Sequence, residues 1–413
     1  MKIILFLISC LAIQGFAQQQ SEDAYTRYEL LEPSTQSFRI IYEVSAVTSG
    51  STFYFNTLRK GSDHNVDAVI DLSSSQNLNW EIVNGENAKK SGLSEALLDV
   101  DYLKIKLSKP IPVGGEYRLK IDKTYKDEKS YFSQDDKIVF DRSLGIKRNA
   151  IVLPLGYELL KCNYPSQVAQ ESDGRIKISF INTSPADVPL HIEARKLPTS
   201  AKLVVINAKS APPSMGQGRD KSKARLDFSF PERAYQSREI VYFLQQPESH
   251  SFRLYHDYTE TKEGTDRYIN IVRAGSKASN PSAKNLDTGE TLKVETLKGN
   301  EITERKLEIG EPVTPETEIV AIWYDAIQKG KSTRIRIEET YADASRYLLY
   351  NDELVFDRSF GRPYNIVILP VGWFLTSNLI PAVIDLTKEG MISLNYVNNQ
   401  PDEIDVHIKA RKR

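Results

Sequence analysis

Residues 139–196 read VFDRSLGIKRNAIVLPLGYELL…PSQV…DGRIKISFINTSPADVPLHIEARK, and residues 355–412 read VFDRSFGRPYNIVILPVGWFL…PAVI…EGMISLNYVNNQPDEIDVHIKARK. The two stretches align at a constant offset of 216 without a gap, with about a third of the positions identical. A repeat unit of this size is a duplicated domain rather than one turn of a solenoid. Within it, Leu190, Ile192 and Ala194 alternate with His191, Glu193 and Arg195, the period of a strand with one buried face.

The duplication extends upstream. Tyr28, Leu30, Pro33, Ser37, Phe38 and Arg39 recur as Tyr242, Leu244, Pro247, Ser251, Phe252 and Arg253, at an offset of 214. The same offset carries Asn56, Arg59, Gly61 and Ser62 onto Asn270, Arg273, Gly275 and Ser276. By Arg118, Ile121, Thr124 and Tyr125, matched by Arg334, Ile337, Thr340 and Tyr341, the offset is 216, so the intervening loops gain a net two residues. Two repeats are therefore expected at 27–196 and 241–412, each of ordinary domain size. The connection 197–240 contains Ala211-Pro212-Pro213-Ser214-Met215-Gly216, which reads as a linker. Its flanks, Leu203-Val204-Val205-Ile206 and Leu226-Asp227-Phe228-Ser229-Phe230, have the composition of edge strands.

Period two dominates each copy. Tyr102-Leu103-Lys104-Ile105-Lys106-Leu107 alternates, a Pro/Gly turn follows at 110–115, and Tyr117-Arg118-Leu119-Lys120-Ile121 alternates back. Ile151-Val152-Leu153-Pro154 and Ile366-Val367-Ile368-Leu369-Pro370 are the continuous apolar runs of strands buried on both faces. Asp173-Gly174 and Glu389-Gly390 mark hairpin turns, and only 94–100 suggests a helical turn or two. The expected fold is all-β: two tandem copies of an antiparallel β-sandwich-like domain.

Composition adds exclusions. Forty per cent hydrophobic and 26% charged residues are ordinary for a globular chain of 413 residues. Lys and Arg (54) balance Asp and Glu (55), which gives no electrostatic reason to expect nucleic acid as a partner. Lys2, the apolar run 3–13 and Gly15-Phe16-Ala17 form a signal peptide over 1–17, and no other apolar run is long enough to span a bilayer. The mature protein is expected to be extracytoplasmic, periplasmic or secreted. Leu7-Ile8-Ser9-Cys10 also has the form of a lipobox, the alternative being a lipid anchor at Cys10. After cleavage Cys162 is the one cysteine left, and Asn378 holds the matching position, so no internal disulfide is expected.

Catalytic and cofactor motifs are missing: no H-E-x-x-H, no G-x-S-x-G, no P-loop and no dinucleotide fingerprint. No cofactor and no metal is expected. His191 and Arg195 share a polar strand face, and His407 and Arg411 repeat it; this is either an anion site or a solvated strand face. Asp141-Arg142-Ser143 and Asp357-Arg358-Ser359 read as turns in which an acid and a guanidinium satisfy structure. His250, His256 and Tyr258 share one strand face, but the two His are about 20 Å apart on an extended strand and cannot close a local zinc site. Cys162 with His191 is a conceivable nucleophile–base pair lacking an orienting third group. Trp373, in place of Tyr157, is either a stacking platform or a core residue.

The pattern F-[DE]-R-[ST]-x-G…N-x-[IV]-[VI]-L-P-x-G-[YW], at 140–157 and 356–373, resembles one in exported bacterial proteins of unassigned function. Leu107-x-x-Pro110-Ile111-x-x-Gly114-Gly115-x-Tyr117-x-Leu119-x-Ile121 is similar to the non-catalytic N-terminal β domain of M1-family metallopeptidases. The zinc motif of that family is absent, so the resemblance implies a fold and carries no catalytic residue. The expectation is a non-catalytic binding or scaffold protein with a protein or glycan partner in the cell envelope. The alternative is a hydrolase or peptidase-like enzyme with its site at the domain junction.

Overall fold

The computed structural model of the chain describes residues 23–58, 62–198, 232–400 and 402–412. The expected signal peptide with Cys10, the repeat positions Arg59 and Gly61, and the expected linker and its flanking strands between 199 and 231 lie outside the described residues.

Alternating residues and glycine turns produce fourteen described strands per copy, in three sheets of the same order in both copies. In the first copy the large sheet runs Gln167–Gln170, Ile176–Ile181, Arg148–Val152, Tyr25–Leu30, Ser37–Ala46, Tyr117–Lys126, Asp63–Asp71. A four-stranded sheet runs Tyr157–Cys162, Val188–Lys196, Lys137–Leu144, Tyr131–Gln134, and a three-stranded one Phe53–Leu58, Asp101–Lys106, Trp80–Asn84. The second copy repeats all three orders, its large sheet centred on Tyr364–Ile368, Arg238–Leu244 and Ser251–Glu260. The chain is thus nearly all-β and duplicated.

Three details depart from the sequence reading. One strand pair in each copy is parallel, Tyr25–Leu30 with Arg148–Val152 and Arg238–Leu244 with Tyr364–Ile368. These are the strands ending in the apolar runs, and Ala150, Ile151 and Val152 are fully buried, as a central strand covered on both faces requires. Next, the strands on either side of the Pro/Gly turn 110–115 do not pair; Asp101–Lys106 joins the three-stranded sheet and Tyr117–Lys126 the large one. Pro110 and Pro112 supply no donors and the turn crosses between layers. Third, the short helix is Gly85–Lys90, N-capped by the Asn84 side chain, rather than at 94–100.

The two small sheets pack on one face of the large sheet. One core joins Tyr28, Phe38 and Ile121 of the large sheet, Tyr54 and Leu103 of the three-stranded sheet, and Phe140 and Leu190 of the four-stranded sheet. Tyr28, Phe38 and Phe140 form a ring cluster that Tyr242, Phe252 and Phe356 reproduce, with Phe38–Phe140 and Phe252–Phe356 centroids 5.6 Å and 5.7 Å apart, both edge-to-face. Each such buried side chain contributes roughly 1.5–3 kcal/mol through burial.

The copies meet through the same surface of each, as in an isologous dimer. Glu116 N–H donates to Leu286 O (2.7 Å), and its counterpart Ser332 donates through Oγ to Leu72 O (3.0 Å), the counterpart of Leu286. Arg118 donates to Ser332, while Arg334, the counterpart of Arg118, lies 3.3 Å from Glu116. The arrangement is tight at Gly115, where a Cβ would stand 2.7 Å from Leu286 O. Buried ion pairs then diverge between the halves: Arg118 makes a fork with Asp287 (2.6 and 2.8 Å), and Arg148 and Arg334 both reach Asp23.

Candidate functional site

The layering leaves a cleft in each copy where the three-stranded and four-stranded sheets part above the large sheet. In the first copy it measures about 1130 Å³. Its floor is Tyr28, Ile40, Tyr42, Lys123 and Tyr125, and its walls carry Tyr54, Asn56 and Thr57 on one side and Arg142 and Ile146 on the other. The second copy's cleft is built from the corresponding positions, Tyr242, Leu254, His256, Glu339, Tyr341, Tyr268, Asn270, Arg358 and Arg362, and measures about 180 Å³.

Five positions are shared and polar: Tyr28/Tyr242, Asn56/Asn270, Tyr125/Tyr341, Tyr54/Tyr268 and Arg142/Arg358. The centre of the floor is inverted in charge. Lys123 in the first copy is Glu339 in the second, only 6% and 3% exposed. The common asparagine serves both: Asn56 Oδ1 accepts from Lys123 Nζ (2.6 Å), whereas Asn270 Nδ2 donates to Glu339 Oε2 (2.8 Å) and Tyr341 OH (2.6 Å). A primary amide carries an acceptor and two donors, so one residue type satisfies either charge.

Burial governs the electrostatics. Lys123 has no carboxylate within ion-pair distance among the described residues, and burial, reinforced by the nearby Arg142, holds its ammonium down to about pKa 8. Burial pushes the Tyr125 hydroxyl up to about 12. In the second copy burial raises the Glu339 carboxyl, against the hydrogen bonds from Asn270 and Tyr341. Burial, then Arg238, Arg362 and Arg334, holds His256 well below its ordinary value, so this imidazole is neutral. Its Nε2, together with Glu339 Oε1 and Asn365 Oδ1, is buried without a hydrogen-bond partner among the described residues.

A pH prediction follows from His256. Below about pH 6.5 the unfolded imidazole takes up a proton that the folded one refuses, so stability falls as pH falls, by up to about 1.4 kcal/mol per pH unit. The raised carboxyl of Glu339 acts in the opposite sense. Wild type and His256→Phe share every other group, so the difference between their melting temperatures isolates the imidazole. The variant is expected to gain on wild type as the pH drops from 7 to 5; a constant difference contradicts the assignment.

The residues singled out from sequence fall in separate places. His191 sits opposite Asp141 across two strands, with Nδ1 2.8 Å from Oδ2, and His407 sits likewise opposite Asp357 at 3.4 Å. Arg195 pairs with Glu158 and Arg411 with Glu353, both on the exposed face of the four-stranded sheets. These are cross-strand ladders, and none of the four lines either cleft. Cys162 pairs in register with Ile192, packs against the core and donates to Tyr164 O (3.3 Å). His191 faces the other side of that sheet, so no thiol–imidazole pair forms. Trp373 is 3% exposed, with its indole N–H donating to Gln246 Oε1 (2.9 Å), and is part of the core. His250 is apart from His256, its Nδ1 2.9 Å from Tyr347 O. Of these eight, His256 alone lines a cleft.

The structure also re-reads the Asp-Arg-Ser motif. It is no turn: the strands Lys137–Leu144 and Glu353–Phe360 run through it. Alternation sends Asp141 outward to His191 and Arg142 inward to the cleft. Sequence reasoning missed Lys123, Asn56 and Arg142 as a group because they come from three sheets. The available signal was the Lys123/Glu339 difference within an otherwise matching strand.

No family model matches the chain, and no curated protein matches it. Among solved structures, a two-domain M1 zinc metallopeptidase is similar at 11% identity and a TM-score of 0.29, over 42% of this chain and 41% of that one. The M1 zinc metallopeptidase of Deinococcus radiodurans is similar at 10% identity and a TM-score of 0.28, over 42% and 41%. An aminopeptidase N family protein of Idiomarina loihiensis is similar at 10% and 0.26, over 42% and 29%. The likeness is distant and confined to part of those enzymes, and this chain spans well under half of their length.

Proposed function

We propose that this protein is an exported binding protein without catalytic machinery of its own, and that its ligand enters the cleft of the first copy. One observation carries the reading: a 1130 Å³ cleft lined by Tyr28, Tyr42, Tyr54 and Tyr125, with polar groups converging on its floor. Pockets that hold small ligands, or one segment of a larger partner, have this make-up of ring surface and a few fixed polar groups. Export rests on the signal-peptide pattern at 1–17. The partner is a glycan or protein segment of the cell envelope, presented to the cleft. Four of the carboxylates at the junction, Asp23, Glu116, Asp257 and Asp287, each face a guanidinium, which favours binding over hydrolysis at those four. An acid held in such a pair is a poor general acid or base. The 107–121 pattern, similar to a non-catalytic β domain, agrees with this role.

The test is a screen of small aromatic and sugar fragments by ligand-observed NMR, on wild type and Ile146→Trp. Ile146 is a half-buried cleft-wall residue in the turn between two strands, where the larger tryptophan ring takes up cleft space. Fragments that bind wild type should lose most of their affinity in the blocked variant. Absence of any hit, or hits retained by Ile146→Trp, overturns the reading.

A further inference from the structure

We infer that the first copy's cleft selects ligands that carry an oxyanion, a carboxylate or phosphate group, and that Lys123 is the residue that binds it; this rests on the binding reading above. Four observations place the anion there. Lys123 is 6% exposed yet lines the floor of the open cleft. Its ammonium has a single described hydrogen bond, to the neutral oxygen of Asn56, and no described carboxylate within ion-pair distance. Three donors on a buried ammonium are not satisfied by one neutral acceptor. A second cation, Arg142, lines the same cleft and adds to the positive potential at Lys123. Its one described ion pair, with Asp127, is 3.2 Å long. Thr26 Oγ1, on the same floor, is buried without a hydrogen-bond partner among the described residues and offers a hydroxyl donor.

The second copy is the internal comparison. There the cation is exchanged for Glu339, Ile146 for Arg362 and Tyr42 for His256, and the cleft shrinks from about 1130 to about 180 Å³. Duplication would have carried the same floor into both copies. The copy that kept its space is the one whose ammonium, bonded to Asn56 and lying 5.4 Å over the Tyr125 ring, has no carboxylate partner among the described residues. Burying a cation without a counter-charge costs stability, and an arriving oxyanion would recover it as a charge-assisted hydrogen bond.

The experiment uses the full chain and four fluorinated probes of one shape: 4-fluorobenzoate, 4-fluorophenyl phosphate, 4-fluorobenzyl alcohol and 4-fluorobenzylammonium, titrated by ¹⁹F NMR at pH 7. At least one anion should bind tenfold or more tighter than the alcohol, with the ammonium weakest; which anion wins identifies the head group. In Lys123→Met the anions should lose their advantage and bind no more tightly than the alcohol does to the same variant. Binding of the alcohol equal to that of both anions, or an anion preference that survives Lys123→Met, overturns the inference and leaves the cleft as a site for neutral ligands. Failure of all four probes, alcohol included, removes the cleft reading and the inference with it.

Discussion

Replacing Arg118 with alanine is expected to destabilise the protein by about 3–5 kcal/mol, the cost of stranding a buried charge. The guanidinium is 7% exposed and holds both oxygens of Asp287, itself 7% exposed, at 2.6 and 2.8 Å. It also donates to Ser332 O (3.1 Å) and Ser332 Oγ (3.2 Å), so one side chain ties the first copy to two segments of the second. Without it, Asp287 keeps the N–H of Arg334 and the ammonium of Lys109 reaches only its backbone oxygen, leaving the carboxylate without its cation. Urea unfolding should show the loss, together with a split into two transitions as the copies lose their coupling. The double variant Arg118→Ala with Asp287→Ala should recover part of the loss, because the orphaned charge is then gone. A single variant within 1 kcal/mol of wild type would show that the interface does not depend on this pair.

Replacing Lys123 with methionine is expected to do the opposite and stabilise the protein by about 2 kcal/mol at neutral pH. Burial and Arg142 bring the ammonium from 10.5 to about 8, a difference worth roughly 3 kcal/mol against the charged form. From this about 1 kcal/mol is subtracted for the hydrogen bond to Asn56. The sign follows from linkage. Between pH 10.5 and 8 the unfolded chain holds the proton more tightly than the folded one, so wild-type stability falls as pH drops through that window and is level below it. The advantage of Lys123→Met is therefore full below pH 8, fades as the pH rises from 8 to about 10.5, and is gone above it. Thermal melts of both proteins at pH 7, 9 and 10.5 check this, and a destabilised variant at pH 7 would mean that the ammonium has a counter-charge. Binding sites that forgo stability in this way do so where the ligand supplies the missing partner.

The sequence disclosed the scaffold well because scaffolds repeat. Phe38/Phe252 and Phe140/Phe356 recur at matched positions, and the alternation around Leu190 and Val406 needs nothing beyond a two-residue period to be read as strand. What escaped was three-dimensional pairing. The run 102–121 contains two good strands whose partners lie in different sheets, and local pattern carries no information on that choice. The parallel pairing of Tyr25–Leu30 with Arg148–Val152 spans more than a hundred residues. Site residues were harder still. His191 and His407 stand out in sequence because they are shared, and they are shared as cross-strand partners of Asp141 and Asp357. Lys123 looks like any solvated lysine on a half-exposed strand until the three-stranded sheet covers it. Of the chemically distinctive residues that differ between copies, His256 does line a cleft, whereas Cys162 and Trp373 are held by packing and by hydrogen bonds to Tyr164 O and the Gln246 side chain.

The most direct measurement is the ¹³Cε NMR spectrum of lysine-labelled protein, titrated with pH with and without whichever of 4-fluorobenzoate and 4-fluorophenyl phosphate binds more tightly, with the Lys123 signal assigned by its loss in Lys123→Met. The account predicts one lysine titrating near pH 8 in the free protein, whose signal shifts and whose midpoint rises when the anion is added. A Lys123 signal that titrates with the surface lysines near pH 10.5, and ignores the anion, would contradict it.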